Sequence, residues 1–486
     1  MHRLKFKNLI LFFIFIILNS CATAKVEDFY KTLTPLIEKQ DISGAVYFAS
    51  DFYKKADKYN KFLYALELGL LYHKNGNYKD SNKIFEEAKS IFYTKDYTHT
   101  LFYDDILLPS YYLGDDFEIA YINFFCSLNY LKTRKFKQKR NEAAVEARQA
   151  NNLFNKIKIN TPNSIYKDDP FIRYFMGLIY QNAGYYNDAM VSYKLALTAY
   201  SNYNICNLDI PKDLINNLYT LYCYFELKEE ASNLKKQYSY AKKIDTTENL
   251  IIINYNGIAP KLEEQTITLP FDVAWNKYYK KNNMYKYDVI REFNICEISA
   301  NFPIYKNYNN IINSFKVEIT DENNTSKKYY SNSYIATNFS TILKKHLEEP
   351  NYKSLFYSRI NKYVVALKEV ENLRQQYEQK KYDILNNQDL DYYSKEKNIE
   401  DLYNKTTSNI RDIKASLNIL NRLNLKSWRS LPETINMAQI NLPSGKYNIL
   451  IKYLDKHGNI VETKEIKTKI KNKRNKFLLI NSYKEK

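Results

Sequence analysis

Met176-Gly177-Leu178-Ile179-Tyr180-Gln181-Asn182-Ala183-Gly184-Tyr185-Tyr186-Asn187-Asp188-Ala189, running on to Tyr193 and Ala196, decides the architecture of this chain. A large residue precedes a Gly and an aromatic follows three residues on. A Gly-aromatic turn comes next, then Ala, aromatic and Ala at helical spacing, which predicts two antiparallel helices in close contact. Each type has a packing reason. Gly177 lets the partner helix approach, Tyr180 and Tyr186 fill the space near the turn, and Ala189 and Ala196 hold the second helix close. A second copy lies upstream, where Leu68-Gly69, Tyr72, Gly76, Tyr78, Ser81, Phe85 and Ala88 stand at the same offsets.

This spacing resembles the tetratricopeptide repeat (TPR), in which paired helices stack into a solenoid. Two unrelated helical hairpins are the plainer alternative. Working outward, 117–155 reads as a degenerate repeat, with small residues in Glu142-Ala143-Ala144-Val145-Glu146-Ala147, and Leu214–Lys243 as one more helical pair. Upstream, Val26–Glu38 and Ile42–Lys58 read as helices, with Asp41 or Ser43 as cap.

Composition changes beyond the array. Leu250-Ile251-Ile252-Ile253-Asn254-Tyr255 is a β-type run, and Thr266–Phe271 and Phe315–Thr320 are further strands. Residues 358–383 and 395–424 regain helical periodicity and predict a long hairpin. Ile435–Leu442, Tyr447–Leu454, Ile460–Lys469 and Lys476–Tyr483, punctuated by Gly turns, predict a β meander. The expected fold is α+β: an N-terminal all-α TPR-like solenoid, then a β-rich, sandwich-like part carrying a helical hairpin. The expected division is 1–20 leader, 21–245 helical repeats, 246–345 β-rich segment, 355–425 hairpin and 427–486 meander.

The chain has 72 Lys and Arg against 54 Asp and Glu, a formal net charge of +18. A basic balance raises anionic partners, nucleic acid included. With 48 Tyr and only 9 Gly, however, the residue usage is that of an AT-rich genome, which spreads Lys over solvated faces. The run Lys464–Lys476 alternates apolar and basic residues as a strand does. At the N-terminus Arg3, Lys5 and Lys7 precede a short apolar run, the pattern of a secretory leader. Leu18-Asn19-Ser20-Cys21 resembles the bacterial lipoprotein signal. That resemblance implies cleavage before Cys21 and lipid (diacylglycerol, with an acyl chain such as palmitate) at this residue. Ala22 rather than Asp follows, which favours the outer membrane. Export excludes nucleic-acid work. Cys206 and Cys223 flank a helix and either pair or remain buried thiols.

Chemistry is sparse. The five His lie apart, which argues against a metal, and no phosphate-binding loop or cofactor motif occurs. Ser239-Tyr240-Ala241-Lys242 and Ser394-Lys395-Glu396-Lys397 have Ser-x-x-Lys spacing without companion motifs. Asp115, Asp116 and Glu118 read as acids at a helix start. Trp428-Arg429 could present a cation on the indole ring, but reads instead as the packed junction between hairpin and β part, because Trp has a large surface to bury. The best functional surface is the inner face of the array, where the first helix of each repeat presents Tyr174, Leu178 and Gln181 and, upstream, Leu66, Leu70 and His73. These side chains suit an extended peptide or a partner's helix. They suit equally a groove filled by the chain's own C-terminal half.

Taken together, Leu113-Gly114-Asp115-Asp116-Phe117-Glu118, Leu128-Asn129-Tyr130-Leu131, Val145-Glu146-Ala147-Arg148, Asn256-Gly257-Ile258-Ala259-Pro260-Lys261 and Ser427-Trp428-Arg429-Ser430-Leu431-Pro432 resemble an uncharacterised family of bacterial TPR-containing lipoproteins. The resemblance implies an envelope lipoprotein working beside activators of peptidoglycan synthases, and it carries no catalytic residue. The sequence therefore points to a non-enzymatic, lipid-anchored scaffold facing the periplasm, with an envelope protein partner in a peptidoglycan-synthesis complex. An enzyme acting on peptidoglycan and an escort for outer-membrane proteins or lipoproteins are the rival readings.

Overall fold

The computed structural model describes residues 26–94, 112, 114, 116–133, 136–160, 166–203, 205–245, 249–279, 284–323, 327–346, 352–419, 425–471 and 475–484. Cys21 with the expected leader, the break over 98–109 and Asp115 lie outside the described residues. The chain forms two compact units. The first takes Met1–Lys261, Tyr305–His346 and Lys426–Lys486, and the second takes Leu262–Ile304 and Leu347–Leu425.

The first unit opens with ten helices: α1 (26–38), α2 (Ile42–Lys54), α3 (Lys61–Lys74), α4 (Tyr78–Thr94), α5 (Asp116–Lys132), α6 (Phe136–Asn160), α7 (Pro170–Ala183), α8 (Tyr186–Asn202), α9 (Lys212–Tyr224) and α10 (Lys228–Gln237). They pack as antiparallel pairs, α3 on α4, α5 on α6, α7 on α8 and α9 on α10. Local chemistry fixes the ends. Asp41 caps α2 by accepting from the Gly44 amide, and Asp169 caps α7 through the Ile172 amide with Pro170 at its first position. Gly184 closes α7 in the left-handed region at φ 88°, where a side chain would be strained. Gly69 and Gly177 sit where the two helices of a pair pack closely. A Cβ at Gly69 would stand 2.6 Å from the Phe85 ring, and one at Gly177 2.2 Å from the Tyr193 ring.

Among the described residues ten strands follow, eight of them in the first unit. β1 (Asn249–Asn256), β6 (Tyr334–Asn338), β7 (Thr434–Asn441) and β10 (Lys476–Ser482) form one sheet in the order β10-β1-β7-β6, in which β1 runs parallel to β10 and antiparallel to β7. β4 (Ser314–Asp321), β5 (Lys328–Asn332), β8 (Gly445–Leu454) and β9 (Ile460–Ile470) form a second sheet in the order β5-β4-β8-β9. Leu250, Ile252, Ala438 and Ile440 on one face of the first sheet meet Phe315, Val317, Ile319, Ile449 and Ile451 of the second, making a sandwich core. The opposite face, with Ile251, Ile253, Tyr255, Ile435, Met437 and Phe477, belongs to the core built by the helices. The first sheet is thus covered on both sides, and every residue of β1 is buried.

This arrangement corrects the expected division. Segments 246–345 and 427–486 interleave instead of forming separate parts, because β1 finds its neighbours in β7 and β10. The expected meander is likewise split. β8 and β9 form a hairpin in one sheet, while β7 and β10 flank β1 in the other. A two-sheet sandwich needs strands that cross between layers, and Pro443-Ser444-Gly445 carries that crossing.

The second unit holds β2 (Lys261–Pro270) paired with β3 (Glu297–Lys306), α11 (Phe271–Ala274) continued by a π-turn over Trp275–Tyr279, and α12 (Met284–Phe293). Its core gathers Phe271, Trp275, Val289 and Ile298 with Phe356, Ile360, Val364 and Leu367 at the base of a long helix. That helix, α14 (Tyr352–Asn386), pairs with α15 (Tyr392–Ile419) as the expected hairpin. α13 (Phe339–His346) belongs to the first unit, where the Phe339 ring packs on Tyr121. Among the described residues no helix is long and apolar enough to cross a membrane.

Candidate functional site

The inner face of the array is where the sequence placed recognition, and of the two readings given for it the structure has the groove filled by the chain's own C-terminal half. Leu70, His73, Tyr174, Leu178 and Gln181 are all buried, and Leu66 with them. The first sheet fills the space. His73 Nδ1 lies 2.6 Å from Asn129 Oδ1, and its Nε2 lies 2.8 Å from the Tyr255 hydroxyl on β1. Asn129 orients its amide by donating to Ser81 Oγ and Asn82 Oδ1, which leaves its oxygen for the imidazole. His73 therefore carries its proton on Nδ1 and accepts from Tyr255 at Nε2. Burial pushes its pKa down from 6.5 to about 4, so the ring is neutral across most of the pH range.

Tyr174 does the same at the other end. Its hydroxyl donates to Gln439 Oε1 on β7 at 2.9 Å and accepts from Asn217 at 3.2 Å. Gln181 accepts from Tyr193 within its own helical pair. Leu178 and Leu70 belong to the shared core. Between these points the Tyr121 hydroxyl meets the Thr337 hydroxyl on β6 at 2.7 Å, its own proton being directed to Asp169. Physically, a concave face lined with large apolar side chains is stable only if covered. The sheet, apolar on both faces, needs the same cover.

A second anchor escaped sequence reading. Glu67, buried in α3, accepts from the Tyr30 hydroxyl at 2.6 Å and from the backbone amides of Arg429 and Ser430 at 2.7 and 3.0 Å. Its carboxyl is held above the usual range by burial, against the pull of those donors. Trp428 beside it packs against Phe85 and Phe125 and donates its indole N–H to Ser430. The Arg429 cation lies 4.1 Å over the ring of Tyr30, not over Trp428. The one available signal was the order acid in an apolar helix, Ser-Trp-Arg-Ser far downstream, and nothing local connects the two.

The titratable groups elsewhere are structural in their surroundings. Glu86, Cys126 and Glu146 place three ligand atoms within 4.8 Å of one another. The Lys89 ammonium already sits there, 2.6 Å from Glu86 and 3.0 Å from Glu146, so the cluster holds its own cation. Burial pushes the Glu146 carboxyl up to about 7 against that ammonium's pull, and burial likewise raises the Cys126 thiol. Asp169 is pushed up to about 6 by burial while Tyr166 and Tyr121 donate to it. Glu118 accepts from Tyr112 rather than only capping α5. Cys206 and Cys223 are free thiols.

Two features remain open. One is a polar cleft of about 620 Å³ along β6, lined by Cys206, Asp209, Ser333, Tyr334, Asn338 and Lys345. The other is the turn of the hairpin in the second unit, where Tyr382, Tyr392 and Tyr393 are 65, 74 and 81% exposed.

The fold defines a helical-repeat scaffold fused to a β-sandwich. No protein-family model and no curated protein matches the chain. Among solved structures it is similar to MamA from AMB-1, 15% identical, covering 46% of this chain and 96% of that one at a TM-score of 0.28. A STAND ATPase with a tetratricopeptide repeat sensor from Pyrococcus horikoshii is 16% identical, with 44% of this chain and 29% of that one covered and a TM-score of 0.30. The assembly chaperone of RpL4 is 12% identical, with 44% and 91% covered and a TM-score of 0.22. Likenesses this distant leave the repeat assignment resting on the helix pairs themselves.

Proposed function

We propose that this protein is a non-enzymatic scaffold of the cell envelope, tethered by lipid on Cys21 to the periplasmic face of the outer membrane, that holds a protein partner. The resemblance of its sequence pieces to bacterial TPR lipoproteins points to a peptidoglycan-synthesis assembly as that partner. One observation supports a holding role and moves its location. With the inner face of the array shut by its own sheet, a cluster of exposed large apolar side chains stands at the hairpin turn. Tyr382, Leu385, Tyr392 and Tyr393 project there from two helices that pack on each other, and aromatic side chains on a rigid support are the usual anchors of protein contacts.

A photo-crosslinking residue in place of Tyr393, expressed in living cells, tests this reading. A single defined protein adduct that disappears when Tyr382 and Tyr392 are changed to Ser is the expected result. Absence of any adduct at Tyr393, Tyr392 and Tyr382 would reject the hairpin as the contact. Anchoring is tested separately by Cys21→Ser, which should move the protein out of the membrane fraction.

A further inference from the structure

Lys132, from one basic stretch of the chain, and Lys476, from another far downstream, lie near each other at one end of the sandwich. Residues 131–141 contain six Lys or Arg and no acid, and residues 466–476 contain six more and no acid. Lys132, at the end of α5, donates to the Phe477 carbonyl of β10 at 3.2 Å, and Lys476 donates to the Lys469 carbonyl of β9 at 3.2 Å. Lys446 of β8 stands opposite Lys469, and Asn448 opposite Lys467, so Lys446, Lys467 and Lys469 project from the same outward face. Lys471 continues that row past the strand end.

Among the described residues none of Lys132, Lys446, Lys467, Lys469 and Lys476 forms an ion pair. Asp321 and Glu322, at the end of β4, border the cluster on the Lys446 side, where the Glu322 amide donates to the Lys446 carbonyl, and the exposed Glu465 borders it beyond Lys467 on β9. Burial and then the charge of Lys476 lower the Lys132 ammonium, and burial and then Lys471 lower Lys476. A general Lys excess does not account for this. Over the whole chain the ratio of basic to acidic residues is 72 to 54, whereas these two stretches have no acid at all. The dipole of α5 explains Lys132 at its C-terminus, but it reaches none of the lysines on the strands.

We infer that this cluster seats the phosphate groups of anionic phospholipids and lays the first unit against a membrane surface. The inference rests on the envelope placement proposed above. Nucleic acid fits less well, because single-strand sites interleave cations with aromatic rings, and the positions beside these lysines on the same face, Asn448, Leu450, Thr320 and Glu465, carry none. A closed phosphate pocket also fits less well, since the exposed ammonium groups spread along strand ends and do not converge.

The test is co-sedimentation of the chain from Ala22 onward, which carries no lipid, with vesicles of phosphatidylcholine alone or containing phosphatidylglycerol. Binding only to the anionic vesicles, weakened by salt, is expected. A lysine near an anionic surface contributes about a fivefold factor, so Lys446→Gln, Lys467→Gln and Lys469→Gln together should weaken binding roughly a hundredfold. These lysines are exposed, and an unchanged thermal midpoint will confirm that the variant folds. Removing as many exposed lysines elsewhere, by Lys54→Gln, Lys83→Gln and Lys235→Gln, should cost far less. Equal loss in the two variants, equal binding to neutral vesicles, displacement by millimolar inorganic phosphate, or tighter binding to a single-stranded oligonucleotide would each overturn the inference. The lipid-free assay reads the cluster alone, so its failure is distinguishable from failure of the Cys21 anchor.

Discussion

His73 on α3 and Tyr255 on β1 stand 182 residues apart in the chain and meet at 2.8 Å, joining the repeat array to the sheet that closes it. From Tyr255 the hydrogen bonds run through His73 to Asn129, on to Ser81 Oγ, and end at the Gly69 carbonyl. Three helices and a strand share one polar chain inside an apolar interface. Each group in it has a partner, which is the condition for burying such a chain without large penalty.

Protonation of His73 should loosen this junction. Its folded pKa of about 4 lies below the ordinary 6.5, so the unfolded state takes up the proton first. The contribution to stability is fully present above about pH 6.5 and is lost as pH falls toward 4, by roughly 3 kcal/mol in all. Asp169 and Glu146, raised to about 6 and 7, act with the opposite sign over the same window. The informative quantity is therefore the difference between the wild type and His73→Gln. In urea titrations that difference should shrink steadily from pH 7 to pH 4.5; a difference independent of pH would contradict a neutral, buried imidazole.

At Gly177 a methyl group would lie 2.2 Å from the Tyr193 ring, and that ring is held by its hydroxyl bond to Gln181. Gly177→Ala gains about 1 kcal/mol of helix propensity. Overpacking against a fixed aromatic costs about 1–3 kcal/mol, so a net loss is expected. Combining it with Tyr193→Leu should show a favourable coupling, because the smaller side chain makes room. By contrast, Gly184→Ala meets no atom within 4 Å and should lose only the cost of its φ of 88°. Thermal unfolding of the four variants distinguishes crowding from backbone strain.

Lys89 is buried with Glu146, and Gln149 completes its partners at 2.9 Å. Lys89→Met keeps the stem's packing and strips the cation, leaving Glu146 without its charge partner. A loss of about 3–5 kcal/mol follows for breaking a buried pair on one side. The double variant with Glu146→Gln should recover most of it. Equilibrium denaturation with both variants measures this directly, and no recovery would show that the loss does not come from the stranded Glu146 charge.

How much of this could be read from the sequence depended on distance along the chain. Gly177 with Tyr193, and Gly69 with Phe85, are neighbours within one helical pair, so their spacing alone announced two helices in close contact. The hairpin of α14 and α15 was legible for the same reason. The sheet was not. Leu250 to Ile253 are apolar without alternation, which names a strand covered on both faces but not its neighbours, and those neighbours come from beyond residue 430. The inner-face residues were the hardest. A Tyr, a His and a Leu serve an outside peptide and an inside strand equally well, so Tyr174 and His73 carried no sign of which one they meet. The continuous apolar run of β1 held the missing clue, because such a strand requires helices over one face, and the array was the available source.

The clamp at Glu67 offers the sharpest test of how the array and the strand-bearing half are joined. One buried carboxylate satisfies the amides of Arg429 and Ser430 and the hydroxyl of Tyr30, while Lys74 donates to the Ser430 carbonyl at 2.7 Å from the other side. Glu67→Ala leaves two amides without an acceptor, at about 1–3 kcal/mol each, while the Tyr30 hydroxyl keeps the Ser427 carbonyl at 2.8 Å. Stability should fall by about 2–6 kcal/mol, and amide exchange over residues 427–431 should accelerate beyond what the global loss accounts for. Glu67→Gln retains one acceptor oxygen in a side chain of the same shape, so its loss should be smaller and the exchange change milder. If alanine and glutamine proved equally costly, the site would depend on the charge itself rather than on the count of acceptors. Uniform acceleration across the first unit in both variants would mean that the junction and the array unfold as one body.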